Sequence, residues 1–301
     1  MSSSVTLAAA GRAVTRLPPA SYFLTSAVFH YLGPSLAVLL FADLGGLGVA
    51  WLRIATAALV FALWRRPWRL LSVLSPGQRW VLLGLGAVLA AMNSLFYLAI
   101  GLLPLSTVGT IEFLGTVVLA ALGARTRRNL AALVLTAGGV AALTALRLDG
   151  TPAGFAFAFA NCAGFMIYVL LGHRIANVPA RAGQPAGDPV SGIDQLGAAM
   201  IVAAVLAAPA GLPGALPAFS HPLWLAWAAG VGVCSSVIPY VTDQLAMARL
   251  ARATFALMLA LLPVFATLIG AAVLGQIPSA QDAAGIALVV AGVAVHRARD
   301  R

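Results

Sequence analysis

The 301-residue sequence predicts an all-α integral membrane protein: ten transmembrane helices, arranged as two five-helix inverted-topology repeats around a central cavity. Three observations lead there. The chain is 61% apolar and 9% charged, with a mean hydropathy of +0.99, whereas a soluble domain has about 45–50% apolar and about 25% charged residues. Apolar stretches of about 20 residues, enough to cross ~30 Å of hydrocarbon, recur along most of its length. Finally, two stretches in different halves resemble one another, and an odd number of spans per half reverses their direction through the bilayer.

The elements follow in chain order. Residues 1–19 carry Arg12, Arg16 and the Pro18-Pro19 break. No A-x-A-type cleavage site follows, so they read as a short cytoplasmic tail and not as a signal peptide. Ten spans are expected at 20–42, 46–64, 78–101, 104–124, 129–146, 152–173, 193–209, 221–247, 251–274 and 280–297. RRPWR closes span two, Pro104 opens span four, ARTRR closes it, and RLDGTP follows span five. ANVPARAGQPAGDPVSG, within 174–192, is a flexible cytoplasmic loop between spans six and seven, rich in the Pro and Gly that interrupt helices. The repeats are then 20–146 and 152–297.

Arginine placement tests this count. All 18 basic residues are Arg, and the net charge is +10. With the amino terminus inside, Arg12, Arg16, the Arg residues of 65–79 and 125–128, Arg174, Arg181, Arg249, Arg252 and the last three all fall on the cytoplasmic side. Only Arg147 falls outside, and Arg53 lies within span two. One span more or fewer would reverse everything beyond it, so the bias supports both the number and the orientation, with both termini cytoplasmic. It also explains the basic balance without nucleic acid. Cys162 and Cys234 each sit in an apolar span with no ligand-spaced partner, and read as small buried hydrophobes.

The internal resemblance pairs LAIGLLPLSTVGTIEFLGTVVLAALGA (98–124) with LAMARLARATFALMLALLPVFATLIGA (245–271), identical at eight of 27 ungapped positions. GGVA (138–141) and AGVA (291–294) continue the alignment. Inverted repeats are a signature of secondary transporters, because each half can adopt the other's conformation and open a central site to alternate sides.

Within TVGTIEFLGTVVLAAL (107–122), Glu112 is an ionisable acid in an otherwise neutral stretch. Eight residues at ~1.5 Å put it about 12 Å from the outer end of span four. Arg53 in span two and Asn93 in span three lie at similar depth. A charge at the membrane centre costs roughly 2.5–3.5 kcal/mol, so it should be paired, protonated or facing water. Arg53 is the expected partner of Glu112, either binding spans two and four together or contacting substrate. His30, Tyr31 and Ser35 flank Gly33-Pro34, where a proline frees a backbone carbonyl. His30 stands as a core histidine, a proton carrier or a substrate contact. Tyr97 in span three, Asn161 and Tyr168 in span six, and Ser235 and Tyr240 in span eight complete the candidates, each able instead to serve as an interhelical hydrogen bond. Ser236, Pro239 and Gln244 accompany them. Asp243, nearer the cytoplasmic end, is expected to be wetted or paired with Arg249, leaving Glu112 as the deep carboxylate. Gly84, Gly86, Gly138, Gly139, Gly285 and Gly292 are expected at close helix contacts, and Trp64, Trp68, Trp80, Trp224 and Trp227 at the membrane interface.

GVAWLRIATAALVFALWRRPWRL, AAMNSLFYLAIGLLPLSTVGTIEFLG, CAGFMIYVLLGHR and SVIPYVTDQLAMARLARATFALMLALLPVFATLIGAAVLG resemble the drug/metabolite transporter superfamily. The branch they resemble is the EamA-type exporters, near the threonine/homoserine and aromatic amino-acid exporters. FYLAI, the Glu-Phe of span four and IPY of span eight are its most specific signals. The resemblance implies a bacterial inner-membrane exporter of amino acids and related metabolites, not an enzyme, with no cofactor. Spans 1–4 and 6–9 would surround the cavity, with five and ten peripheral. It supports Arg53, Asn93, Tyr97, Glu112, Tyr168 and Tyr240 as site residues. The sequence departs from the pattern at LLP (261–263), where many relatives carry an acid before the proline, and at LGQ (274–276), where LGE is usual.

The partners expected are a small-molecule substrate, amino acids above all, and the lipid bilayer. A zwitterion's ammonium suits a carboxylate, a carbonyl or an aromatic face, and its carboxylate suits a guanidinium or an amide. Protons are a further candidate partner through Glu112 or His30, whereas a uniporter needs no ion. An exporter of drugs or other small metabolites is the alternative within the class. A membrane-embedded enzyme finds no support: no G-x-S-G with a downstream His, no H-E-x-x-H and no deep carboxylate pair in one span is present.

Overall fold

The structure is a computed structural model. It describes residues 18–70, 74–103, 108, 109, 111, 112, 115, 126–143, 151–177, 189–259, 261, 262, 264, 265, 268 and 279–295. The amino-terminal tail, the centre of the 174–192 loop, most of the second half of span four and the ends of spans five, nine and ten lie outside the described residues. So do Pro263 and the whole of LGQ (274–276).

Among the described residues the chain is entirely helical, with no strand. Five helical stretches are long and apolar enough to cross a membrane: Ala20–Arg65, Pro76–Ile100, Pro152–Ala176, Gly192–Ser220 and Pro222–Met247. Ala283–Val295 is a shorter apolar helix. The first stretch contains two expected spans. Span one is Pro19–Ala37 followed by a 3₁₀ turn at Val38–Leu40, and span two is Phe41–Arg65. The chain leaves helical geometry at Gly45 (φ 64°, ψ 164°), a conformation open to glycine and strained for any residue with a Cβ.

Local chemistry sets the other ends. Span two stops where Arg66 turns left-handed, its N–H on the Ala62 carbonyl, just before Pro67. Span three (Pro76–Ile100) opens with a capping box: Gln78 N–H donates to Ser75 Oγ, and the Ser75 N–H donates to Gln78 Oε1. Span six (Pro152–Ala176) is capped by Thr151, whose hydroxyl accepts from the Gly154 N–H at 3.1 Å. Both place proline in the first turn, where a missing N–H costs nothing. Span seven runs Pro189–Ala215, past the expected end at 209 and through Pro209 and Pro213. Span eight is Pro222–Gly232, a π-helical turn at Val233–Val237, then Ile238–Met247. Span five is Arg127–Leu143, span nine begins as Arg252–Leu259, and span ten is Ala280–Val295. In span four, residues 108, 109, 111, 112 and 115 are helical.

Packing between the first five spans and the last five follows a rule. Span one lies on span eight, and span three on span six. Span three also touches span seven, and span two touches span eight. Span two lies along span seven, and span five along span ten. Exchanging each span with the one five places away maps this set of contacts onto itself. Small residues permit the closest approaches. A Cβ on Gly86 would fall 2.6 Å from Val202, and one on Gly139 2.6 Å from the Val289 nitrogen. Gly292 sits equally close to Thr136. Among the described residues nothing stands within 4 Å of the missing Cβ of Gly84 or Gly138, so no close contact of the expected kind is found at either. Trp64, Trp68, Trp80 and Trp227 are exposed on the outside of the bundle, as interfacial anchors are.

Candidate functional site

Two proline-broken helices cross at the centre. Pro34 has no N–H to offer the carbonyl of His30, and Pro239 has none for the carbonyl of Ser235. The π-helical turn just before Pro239 carries the same disruption into span eight, its last bond running from the Ile238 N–H to the Val233 carbonyl. The two breaks touch: a Cβ on Gly33 would stand 2.1 Å from the Ser235 Cβ and 2.8 Å from its Cα. Only glycine fits there.

Arg53 fills the vacancy that Pro239 leaves. Its Nη2 donates to the Ser235 carbonyl at 2.8 Å, and its Nε donates to Ser236 Oγ at 2.7 Å. Its guanidinium carbon stands 5.5 Å from the centre of the Tyr97 ring. The side chain is 5% exposed. The expected pairing with Glu112 is corrected here. The two share a cavity wall, but among the described residues the salt bridge within 4 Å is Arg65 with Asp194. The guanidinium turns instead toward the carbonyl orphaned in span eight, because that acceptor is fixed and already lacks a donor.

The cavity is lined by His30 and Pro34 of span one, Arg53 of span two, Met92, Asn93 and Phe96 of span three, Glu112 of span four, Asn161 of span six and Tyr240 of span eight. The space open to the centre of a water molecule is about 20 Å³, room for about one water. Glu112 is 6% exposed, and both polar atoms of the Asn161 amide are buried without a hydrogen-bond partner. An acid, a guanidinium and two amides thus converge from four helices on a space smaller than an amino acid.

Asn93 and Tyr240 meet across it. The Asn93 amide donates to the Tyr240 hydroxyl at 3.2 Å and to the Leu89 carbonyl at 2.7 Å, and the tyrosine hydroxyl lies 3.3 Å from Asn93 Oδ1. Extending the alignment of 98 with 245 back by five residues pairs Asn93 with Tyr240. The two positions that the expected repeat would pair therefore touch each other.

The remaining candidates divide. Ser35 donates to the Tyr31 and Leu32 carbonyls within its own helix, at 3.1 and 2.9 Å. Ser235 donates to Val231 at 2.6 Å, so it serves Arg53 with its main chain and not its hydroxyl. Tyr31 packs against the core cluster beside His30, and its ring centre is 6.1 Å from the imidazole. Tyr97 is fully buried with its hydroxyl unpartnered. Tyr168 lies outside the cavity lining. Its ring centre is 5.3 Å from that of Tyr240, and its hydroxyl donates to Asp243 Oδ2 at 3.3 Å.

Asp243 corrects a second expectation. It is four residues from the end of span eight, yet only 2% exposed, and its bond is to Tyr168. The neighbouring Gln244 is fully buried with both polar atoms unpartnered. Glu112 is therefore not alone as a buried carboxylate. The signal was legible: Asp243 is three residues from Tyr240, on one helical face. Ser236, the acceptor from Arg53, was noted in the sequence but not chosen; Met92 and Phe96 carried no signal apart from their neighbours.

Long apolar helices around a buried polar cavity define a polytopic membrane protein with an internal polar cavity. The sequence profile of the EamA-like transporter family matches residues 182–297. The threonine/homoserine exporter RhtA of Salmonella typhimurium (strain LT2) is 32% identical over 247 residues, covering 81% of this chain and 79% of the relative. RhtA of Escherichia coli (strain K12) is 33% identical over 251 residues, with the same coverages. The chain belongs to the EamA-like transporter family, within the drug/metabolite transporter superfamily. A solved crystal structure, 19% identical, superposes with a TM-score of 0.65 over 91% of this chain and 96% of that one, a likeness of fold alone.

Proposed function

We propose that the protein exports amino acids and related metabolites across the bacterial inner membrane, by alternating access between two five-span halves of opposite topology. The observation that carries this reading is the composition of the cavity. Glu112 offers an anion for an ammonium, Arg53 a cation for a carboxylate, and Asn93 and Asn161 amides for either. A zwitterion suits that complement, whereas an apolar drug would leave the buried Asn161 amide unmet, at a cost of about 1–3 kcal/mol.

Two observations support alternating access. Contacts between the halves are exchanged among themselves when the halves are swapped. The cavity has room for about one water, so an amino acid enters only when the surrounding spans move apart. The relatives named above transport threonine and homoserine, which makes these the first substrates to try.

The test is counterflow. Purified protein in liposomes preloaded with unlabelled threonine should accumulate labelled threonine transiently, and Glu112→Gln should reduce the rate at least tenfold, the equivalent of about 1.4 kcal/mol, while the protein stays folded. A panel in which apolar drugs exchange and no amino acid does would transfer the protein to the drug-exporting branch. A Glu112→Gln rate equal to wild type would remove the carboxylate from the binding site.

A further inference from the structure

The cavity accounts for Glu112 but not for Asp243, one helical turn further along span eight. Around Asp243 the structure holds a second polar layer that the binding site does not use. Its Oδ2 accepts from the Tyr168 hydroxyl, its Oδ1 has no hydrogen-bond partner, and Ser26 of span one faces it. Among the described residues no cation lies within 4 Å of it. A carboxylate anion in such a place, buried with only the neutral hydroxyls of Tyr168 and Ser26 beside it, is strongly disfavoured unless it carries a proton.

The charged and titratable groups on the elements packed against span eight leave it so. On span one, Tyr22 meets Arg249 and His30 lines the cavity. On span six, besides Tyr168, His173 reaches the Leu250 carbonyl and Arg174 is exposed. On span two, Arg53 is held by Ser235 and Ser236; on span seven, Asp194 is held by Arg65 of span two. On span nine, Arg252 is exposed. On span eight itself, Tyr240 is bound to Asn93.

We propose that Asp243 is a proton-binding site separate from the substrate cavity, and that it carries the ion exchanged for substrate. This rests on the export reading above. In the sealed conformation the carboxyl is neutral and the proton resides on Oδ1. Opening toward the face read as cytoplasmic wets the layer, and the O–H bond breaks, giving the proton to water and leaving the carboxylate. Opening to the other face returns a proton from water to the same oxygen. Tyr168 and Tyr240 join the two layers: one hydroxyl bonds Asp243, the other bonds Asn93 in the cavity wall, and the rings pack at 5.3 Å. Substrate in the cavity thereby shifts the tyrosines that hold the carboxyl.

Two measurements test this. Infrared spectra of the purified protein in lipid nanodiscs at neutral pH should show a buried protonated-carboxyl band that Asp243→Asn removes. Identical spectra from wild type and variant would show an ionised Asp243 and overturn the proposal. The second measurement is the steady threonine ratio across liposomes under a one-unit pH gradient, with the membrane potential held at zero. One-for-one exchange sustains about a tenfold ratio. Wild type should approach it, and Asp243→Asn should settle near one. A variant that is merely slow reaches tenfold later, so the end point separates lost coupling from lost speed. A wild-type ratio near one, or a variant that still reaches tenfold, refutes coupling through Asp243. If wild type carries no threonine or other amino acid, the export reading fails, while the infrared result still decides where the proton sits.

Discussion

Arg53 and Pro239 should be energetically coupled, although they lie on different helices. Arg53→Met removes the donor to the Ser235 carbonyl. That carbonyl also lacks its i+4 N–H, because residue 239 is proline. An orphaned buried carbonyl costs about 1–3 kcal/mol. The Ser236 hydroxyl, bonded to Arg53 Nε at 2.7 Å, can rotate onto a carbonyl of its own helix and adds little. Loss of the buried guanidinium also relieves its desolvation, which offsets part of the penalty. The expected net loss is about 1–3 kcal/mol. In a Pro239→Ala background the new N–H serves the Ser235 carbonyl, and the same Arg53→Met change should cost at least about 1 kcal/mol less. The assay is reversible unfolding of the four proteins of the cycle in mixed detergent micelles. Costs equal within about 0.5 kcal/mol in the two backgrounds would show that Arg53 does not stand in for the missing N–H.

Three further outcomes follow from contacts. Gly33→Ala should prevent spans one and eight from closing and abolish a monodisperse elution profile, whereas Gly84→Ala, with nothing within 4 Å of its Cβ, should be neutral or stabilise by about 0.5–1 kcal/mol; equal behaviour of the two would refute the crossing. Asp194→Asn removes the negative charge from the 2.5 Å pair with Arg65, whose side chains are 24% and 21% exposed, so the loss should be below about 1 kcal/mol and shrink with added salt; a larger, salt-independent loss would mean that the pair is sealed from solvent. Trp51→Phe removes the 3.0 Å indole bond to the Ala204 carbonyl and should lower stability by about 0.5–1.5 kcal/mol in the same micelle assay.

The helical class and most span positions were legible because hydropathy and caps are local. Spans three, six and eight, expected at 78–101, 152–173 and 221–247, are found at Pro76–Ile100, Pro152–Ala176 and Pro222–Met247. Span seven ran past its expected end because Pro209 and Pro213 lie inside a helix clamped against span two, where Gly211 meets Trp51 and Gly214 meets Leu44. A proline read alone looks like a stop; tertiary packing carried the helix through. At the site, similar depth brought Arg53, Asn93 and Glu112 to one level, and they share one cavity. Depth does not give azimuth. The sequence therefore paired Arg53 with the nearest opposite charge, while the fold aimed it at a main-chain oxygen. Burial of Asp243 was hidden for the same reason: closeness to a helix end says nothing about what covers that end.

The crossing at Gly33 has a bearing on how such a protein can be dissected. At Pro34 and Pro239 the polypeptide itself presents oxygen atoms at the heart of the membrane, and no side-chain truncation deletes them. Alanine scanning of spans one and eight would therefore understate what holds the Arg53 guanidinium, which takes the Ser235 oxygen. Restoring an amide hydrogen, by replacing either proline, is the substitution that would silence those oxygens.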